Sequence, residues 1–281
     1  MEISVVIPTY NRAALLPRAL DSVLEQSYPA LEVIVVDDGS TDNSPDVLKS
    51  YLPDITVIRQ ENMGVSAARN RGIRQARGEW IALLDSDDAW MKDKLKNQYD
   101  FHLRNPGLDI FQSQEIWIRN GRRVNLKKKH LKSGGWIFKK ALPLCIISPS
   151  AVIFTRALWR ETGGFDPALP VAEDYDFWLR ILKKRPVGLD EKESVIKYGG
   201  HDDQLSRTTP LMDYYRVLAM ARHLRDESLP ADYFQALVKN MQQKLEILIN
   251  GARKHGGNLK EYLRLEAELD SAIAWRKELK I

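Results

Sequence analysis

Through the first third of the chain, short unbroken apolar runs alternate with stretches of helical spacing. Residues 3–7 (ISVVI) read as a buried strand. Leu15, Leu16, Ala19, Leu20, Val23 and Leu24 then recur at the intervals of one helix face. Residues 32–36 (EVIVV) form a second strand that runs into Asp37-Asp38-Gly39. A helix over 43–52 follows, with Thr41 or Ser44 as its cap and Pro45 in its first turn. Residues 55–59 and 65–76 repeat the strand and helix, and 80–84 is a fourth strand entering Asp85-Ser86-Asp87-Asp88. Strands apolar on both faces and joined by helices predict an α/β fold with a mostly parallel, Rossmann-like sheet flanked by helices. In such sheets ligands gather outside the carboxyl ends of the strands.

The middle of the chain reads differently. Residues 109–118 and 123–126 flank Asn120-Gly121, the signature of a tight hairpin turn. A strand over 151–155, short helix over 156–162, helix over 174–184 and final strand over 195–198 follow. From about Leu211 the pattern is helical, broken near Leu229-Pro230 and over 254–258, with Met241, Leu245, Leu248 and Ile249 as an apolar stripe. This tail is expected to be a helical appendage that packs on the body or on a partner, a second copy of the chain included.

Composition narrows the class. With 281 residues, 44% apolar and 28% charged, the chain has enough apolar surface to offset ordering entropy. Its one cysteine, Cys145, excludes an internal disulfide and any multi-cysteine zinc site. No apolar run approaches a bilayer span, and the first residues lack a basic and then apolar leader, so a cytoplasmic location is expected. The net charge of +4 is unevenly distributed: Arg119, Arg122, Arg123, Lys127, Lys128, Lys129 and Lys132 fall in one acid-free segment, without which the chain would carry −3. One basic segment on an acidic body does not fit the broad basic face of a nucleic-acid binder, and no nucleic-acid partner is expected.

The carboxylates carry more chemistry. Asp37-Asp38 and Asp85-x-Asp87-Asp88 each sit at the carboxyl end of a predicted parallel strand. One such pair would read as helix caps or Asx turns. Two at neighbouring strand ends would repel without a cation, and Mg²⁺ typically takes one or two carboxylates plus substrate phosphates. Glu173-Asp174-x-Asp176 opens the 174–184 helix, where acids also interact favourably with the macrodipole; a buried carboxylate there could instead serve as a general base. His201 lies in Gly-Gly-His-Asp-Asp, a segment able to bring an imidazole to a metal. There is no G-x-G-x-x-G, P-loop, H-E-x-x-H or G-x-S-x-G.

Five motifs in order resemble the family 2 glycosyltransferases of the GT-A fold: Ser4–Arg12 (SVVIPTYNR), Val36–Asp42 (VDDGSTD), Glu61-Asn62-x-Gly64 with Ala68-Arg69-Asn70-x-Gly72, Leu84–Asp88 (LDSDD), and Glu173-Asp174-x-Asp176-x-Trp178-x-Arg180. They cover roughly residues 3 to 206. The resemblance implies a glycosyltransferase domain over 1–208, with a nucleotide-binding half (1–105) and an acceptor half (106–208), and an extension over 209–281. It implies that Pro8, Thr9, Tyr10, Arg12, Asp38, Gly64, Arg69, Asp85 and Ser86 bind the nucleotide sugar, Asp38 favouring uracil or thymine. Asp87, with Asp88 and His201 as further candidates, would hold Mn²⁺ or Mg²⁺. Asp174 would be the base, with Glu173 and Trp178 shaping the acceptor site. The reaction implied is a single inverting transfer from a UDP- or dTDP-linked sugar to a hydroxyl of a glycan, lipid-linked or other acceptor, as in bacterial surface polysaccharide synthesis. Gln204-Leu205-Ser206-Arg207 is followed by Thr208, not by the Trp of the processive synthases. A sugar nucleotidyltransferase and a non-catalytic nucleotide-sugar-binding module are the alternatives. The basic segment 119–132 would face an anionic acceptor or the inner leaflet of the membrane.

Overall fold

The computed structural model describes residues 1–125, 130–199 and 212–279. The first half builds β1 (Ile3–Thr9), α1 (Leu16–Leu24), β2 (Glu32–Asp37), α2 (Ser44–Lys49), β3 (Thr56–Arg59), α3 (Val65–Gln75) and β4 (Trp80–Leu83). The strands lie in the order β3-β2-β1-β4, all parallel, with Val5 opposite Val33 on one side and Ala82 on the other. Successive residues serve opposite faces. Ile3, Val5 and Ile7 join α1 residues Leu16, Ala19 and Leu20 in one core, while Val6, Ile34, Val36 and Leu83 belong to a second. With both faces covered, the strands read as continuous apolar runs. The chain leaves β1 toward β2 and later returns to its other side as β4, so the ends of β1, β2 and β4 share one crevice.

The second half adds β5 (Ala89–Trp90), α4 (Lys94–Arg104), β6 (Ile110–Arg119), β7 (Arg122–Val124), α5 (Phe138–Ala141), β8 (Val152–Thr155), α6 (Arg156–Thr162), α7 (Glu173–Leu182) and β9 (Gly188–Gly199). Here the sheet turns mixed, because β8 runs antiparallel to both β4 and β6. Two elements differ from expectation. The strand read over four residues is the twelve-residue β9, whose charged stretch Glu191-Lys192-Glu193 hides its period; it pairs in parallel with β6 and its register shifts around Gln114. The helix α4 has almost no apolar stripe. Its buried side includes Lys94 and Gln98, with the Lys94 ammonium donating to Gln98 at 2.9 Å and lying 3.9 Å from the Trp90 ring.

The tail forms α8 (Met212–Ala221), α9 (Ala231–His255) and α10 (Leu259–Glu278). It packs on the body: Val217, Leu237, Met241, Leu265 and Leu269 share the second core with Ile34, Val36 and Phe177. Lys244 clips α9 to α8 through Asp213 at 2.7 Å, and Arg276 donates to the Asp226 carbonyl at 3.0 Å.

Helix α3 approaches the sheet closely at Gly72, where an added Cβ would stand 2.4 Å from Val6 Cγ1 and 3.1 Å from Val36 Cγ2. Gly72→Ala should therefore lower stability by about 1–3 kcal/mol despite its better helix propensity. A thermal melt unchanged from the parent would contradict this packing.

Candidate active site

The wall after β1 is laced to the turn after β2. Asn11 sits at φ 52°, a conformation asparagine tolerates better than most residues. Its Oδ1 accepts the Thr41 N–H at 2.8 Å, and its own N–H donates to Ser40 Oγ at 2.9 Å. Arg12 N–H donates to Ser44 Oγ at 2.9 Å. Asp37 closes the turn by accepting the Ser40 N–H at 2.8 Å. Asp38 accepts from Gln60 Nε2 at 2.6 Å, Met63 N–H at 3.0 Å and Gly64 N–H at 2.8 Å, so it also positions the entry to α3. A carboxylate has about four acceptor positions, leaving Asp38 capacity for one more donor. Thr9 Oγ1 is buried without a partner and Tyr10 stands exposed at the rim.

The end of β4 is crowded with charge. Arg69 reaches from α3 and is buried between two carboxylates, donating to Asp85 at 2.8 Å and Glu173 at 2.6 Å. It thereby joins the acidic strand end to the start of α7. Lys197, on β9, lies 2.8 Å from Asp88 and 3.9 Å from Asp85. Asp88 also accepts the Ser150 hydroxyl at 2.6 Å. Burial would raise the Asp85 carboxyl, but Arg69 and Lys197 hold it below the ordinary carboxylate range. Burial, and then Asp85, push Asp87 up. Glu173 is pushed up by burial and by Asp174, against the pull of Arg69.

Ala172, in the left-handed region at φ 59°, turns the chain into α7. Strained backbone of this kind persists where the surroundings over-determine it, often at functional sites. Asp174 follows, its Oδ1 accepting the Tyr175 N–H at 2.6 Å. The Cys145 sulfur stands 3.5 Å from its Oδ2 and 3.2 Å from the Ile147 carbonyl, two acceptors for one thiol proton. Burial pushes that thiol well above its ordinary range, so it stays a protonated donor rather than a nucleophile. One cavity of about 910 Å³ joins these parts, lined by Thr9, Tyr10, Asp38, Asp85, Asp87, Asp174, Cys145 and Trp117. Helix α8 contributes Met212 and Arg216 to its lining.

The profile described as Glycosyl transferase family 2 matches residues 4–161, more than half of the chain. The chain belongs to that family. It is 32% identical over 201 residues to TuaG of Bacillus subtilis, a glycosyltransferase named for teichuronic acid biosynthesis, covering 70% of this chain and 78% of TuaG. Some relatives are much longer: the chain spans about a third of a Rickettsia felis glycosyltransferase, the match covering 35% of that protein. Staphylococcus aureus TarS 1–349 in complex with UDP-GlcNAc superposes with a TM-score of 0.76 at 22% identity, over 97% of this chain and 81% of that one. A Pyrobaculum calidifontis mannosyltransferase in complex with GDP-Man and Mn²⁺ gives 0.61 at 20% identity, over 97% and 86%. These likenesses establish the GT-A fold.

In this family 2 chain, Pro8, Thr9, Tyr10, Arg12, Asp38, Gly64, Arg69, Asp85, Ser86, Asp87, Glu173 and Asp174 all line that cavity. Three expectations change. Trp178 does not line the cavity: it is 2% exposed and packs among Phe154, Phe165 and Phe177. Asp88 is spent on Ser150 and Lys197 and does not line the cavity. Lys132 is not part of a solvated basic face; its ammonium is buried 3.1 Å from Glu115. Of the other basic residues, Arg123 pairs with Glu193, Arg119 stacks near Trp117, and Lys127, Lys128 and Lys129 lie outside the described residues. His201 also lies outside them. No motif pointed to Lys197, Glu115, Trp117 or Cys145, which strand pairing and loop packing bring to the cavity.

Proposed function

We propose that this glycosyltransferase moves one sugar from a nucleoside-diphosphate sugar to an acceptor hydroxyl with inversion at the anomeric carbon. The observation that carries the reading is the Asp174 carboxylate in the same cavity as Asp87 and the β1 and β2 loops. Asp174 takes the proton of the acceptor hydroxyl as its oxygen bonds to the anomeric carbon and the bond to the diphosphate breaks. The Tyr175 N–H holds the carboxylate in place, with the Cys145 sulfur beside its other oxygen. Glu173 acts through Arg69, keeping α7 in register with Asp85. Asp38, on its remaining acceptor position, would take the ring N–H of uracil or thymine, the chemistry behind a UDP- or dTDP-linked donor.

Among the described residues no three His, Cys, Asp or Glu side chains converge as a closed metal site. Asp87, which lines the cavity, fits a cation that completes its shell from substrate phosphates. Bound there, Mn²⁺ or Mg²⁺ would offset the charge on the leaving diphosphate. Chelation should therefore stop transfer and weaken nucleoside-diphosphate binding at least tenfold by calorimetry; undiminished transfer in EDTA would overturn the metal assignment.

The relation to TuaG supports an acceptor in surface polysaccharide synthesis. No helix among the described residues is long and apolar enough to cross a membrane. A peripheral contact with anionic lipid would rest on Arg119, Arg122 and 127–129, a smaller set than the charge pattern offers. The deciding assay incubates the protein with Mn²⁺ and UDP-, dTDP- or GDP-sugars and follows nucleoside-diphosphate release. Pyrophosphate release from a nucleoside triphosphate and a sugar 1-phosphate would instead identify a nucleotidyltransferase.

A further inference from the structure

We propose that Lys197 supplies a fixed positive charge to the donor diphosphate, and that Asp88 serves to hold that ammonium rather than to ligate metal. This rests on the nucleoside-diphosphate donor proposed above. The Asp88 carboxylate is 1% exposed, and its Oδ2 meets both the Ser150 hydroxyl at 2.6 Å and the Lys197 ammonium at 2.8 Å. Both partners meet that one oxygen, and Asp88 does not line the cavity that Asp87 lines. Asp85 is likewise engaged by Arg69 at 2.8 Å, with Lys197 at 3.9 Å. Of the two that line the cavity, Asp85 is held by Arg69, which makes Asp87 the better placed for a cation.

A metal on one carboxylate is weakly anchored, and a nucleotide sugar brings two negative phosphates. Fixed cations must then share the work. Lys197 is placed for it: it lines the same cavity as Asp87, and strand pairing sets it beside Trp117 of β6, not at the end of a mobile loop. Its side chain is 16% exposed, so its charge is little screened by solvent. Asp88 takes one of its three N–H donors, and Asp85 stands beyond hydrogen-bond reach. Ser150 fixes Asp88 from behind and also accepts the Asp85 N–H at 3.1 Å, tying the holder to the acidic loop.

The test is binding of UDP and GDP by calorimetry, with Mn²⁺ and with EDTA, to wild type, Lys197→Met and Lys197→Arg. Uridine binding by ligand-observed NMR serves as a control that lacks phosphates. Wild type is expected to retain measurable affinity for one diphosphate in EDTA. Lys197→Met should lose that affinity tenfold or more while binding uridine as before, and Lys197→Arg should restore most of it. Equal diphosphate affinity in Lys197→Met would overturn the inference and leave the donor reading standing. Parallel loss of uridine and diphosphate would show a merely structural role and overturn it too. A wild type that binds neither diphosphate overturns both. The holder role is read separately: Asp87→Asn should raise the Mn²⁺ concentration for half-maximal diphosphate binding at least tenfold, and Asp88→Asn should not. An equal rise in Asp88→Asn would make Asp88 a metal ligand.

Discussion

Asp174→Asn is expected to leave nucleoside-diphosphate affinity unchanged and to slow sugar transfer by about 10²- to 10⁴-fold, the range of a positioned general base. The substitution keeps the shape of the side chain and an oxygen to accept from Tyr175 or Cys145, so the cavity should persist. What it removes is the ability to take a proton. Transfer near the wild-type rate would eliminate Asp174 as the base. A parallel loss of nucleotide binding would mean that the variant had disturbed the site, not its chemistry.

Arg69→Met should be the most destabilising single change at this site. Arg69 is 4% exposed, and its guanidinium spans Asp85 and Glu173, which lie on different elements of the sheet face. Without it two carboxylates would share a low-dielectric site with less compensation. Breaking a buried ion pair costs about 3–5 kcal/mol. At a few degrees per kcal/mol this reads as a fall in Tm of roughly 10 °C. Glu173→Gln in the Arg69→Met background should recover part of the loss, since one of the stranded charges is then gone. A melt within a degree or two of wild type would show that Arg69 is not the bridge described.

The first half of the fold was legible because its strands are covered on both faces and α1 carries a clean apolar stripe. β1 to β4 and α1 to α3 follow the pattern to within a few residues. The reading weakened where polar residues are buried. α4 presents Lys94 and Gln98 inward, a solution that no hydrophobic period announces. The direction of β8 was equally hidden, since strand polarity within a sheet is a tertiary property. The site divides the same way. Residues on the turns after β1, β2 and β4 that the motifs singled out line the cavity. Trp178, which the resemblance put at the acceptor site, is buried in the core. Lys197 was missed because its partners, Asp85 and Asp88, are more than a hundred positions away.

The register shift in β9 gives an unremarkable stretch of surface an unexpected constraint. Ser113 pairs with Asp190, but Trp117 pairs with Lys197, so β9 carries three more residues than β6 between those two points. An odd surplus reverses parity: residues beyond it face the side of the sheet they would otherwise avoid. The exposed Glu191-Lys192-Glu193 segment thus acts as a phase-setter. Its side chains can change with little consequence, whereas deleting one residue would set Tyr198 opposite Trp117 and move Lys197 to the other face of the sheet.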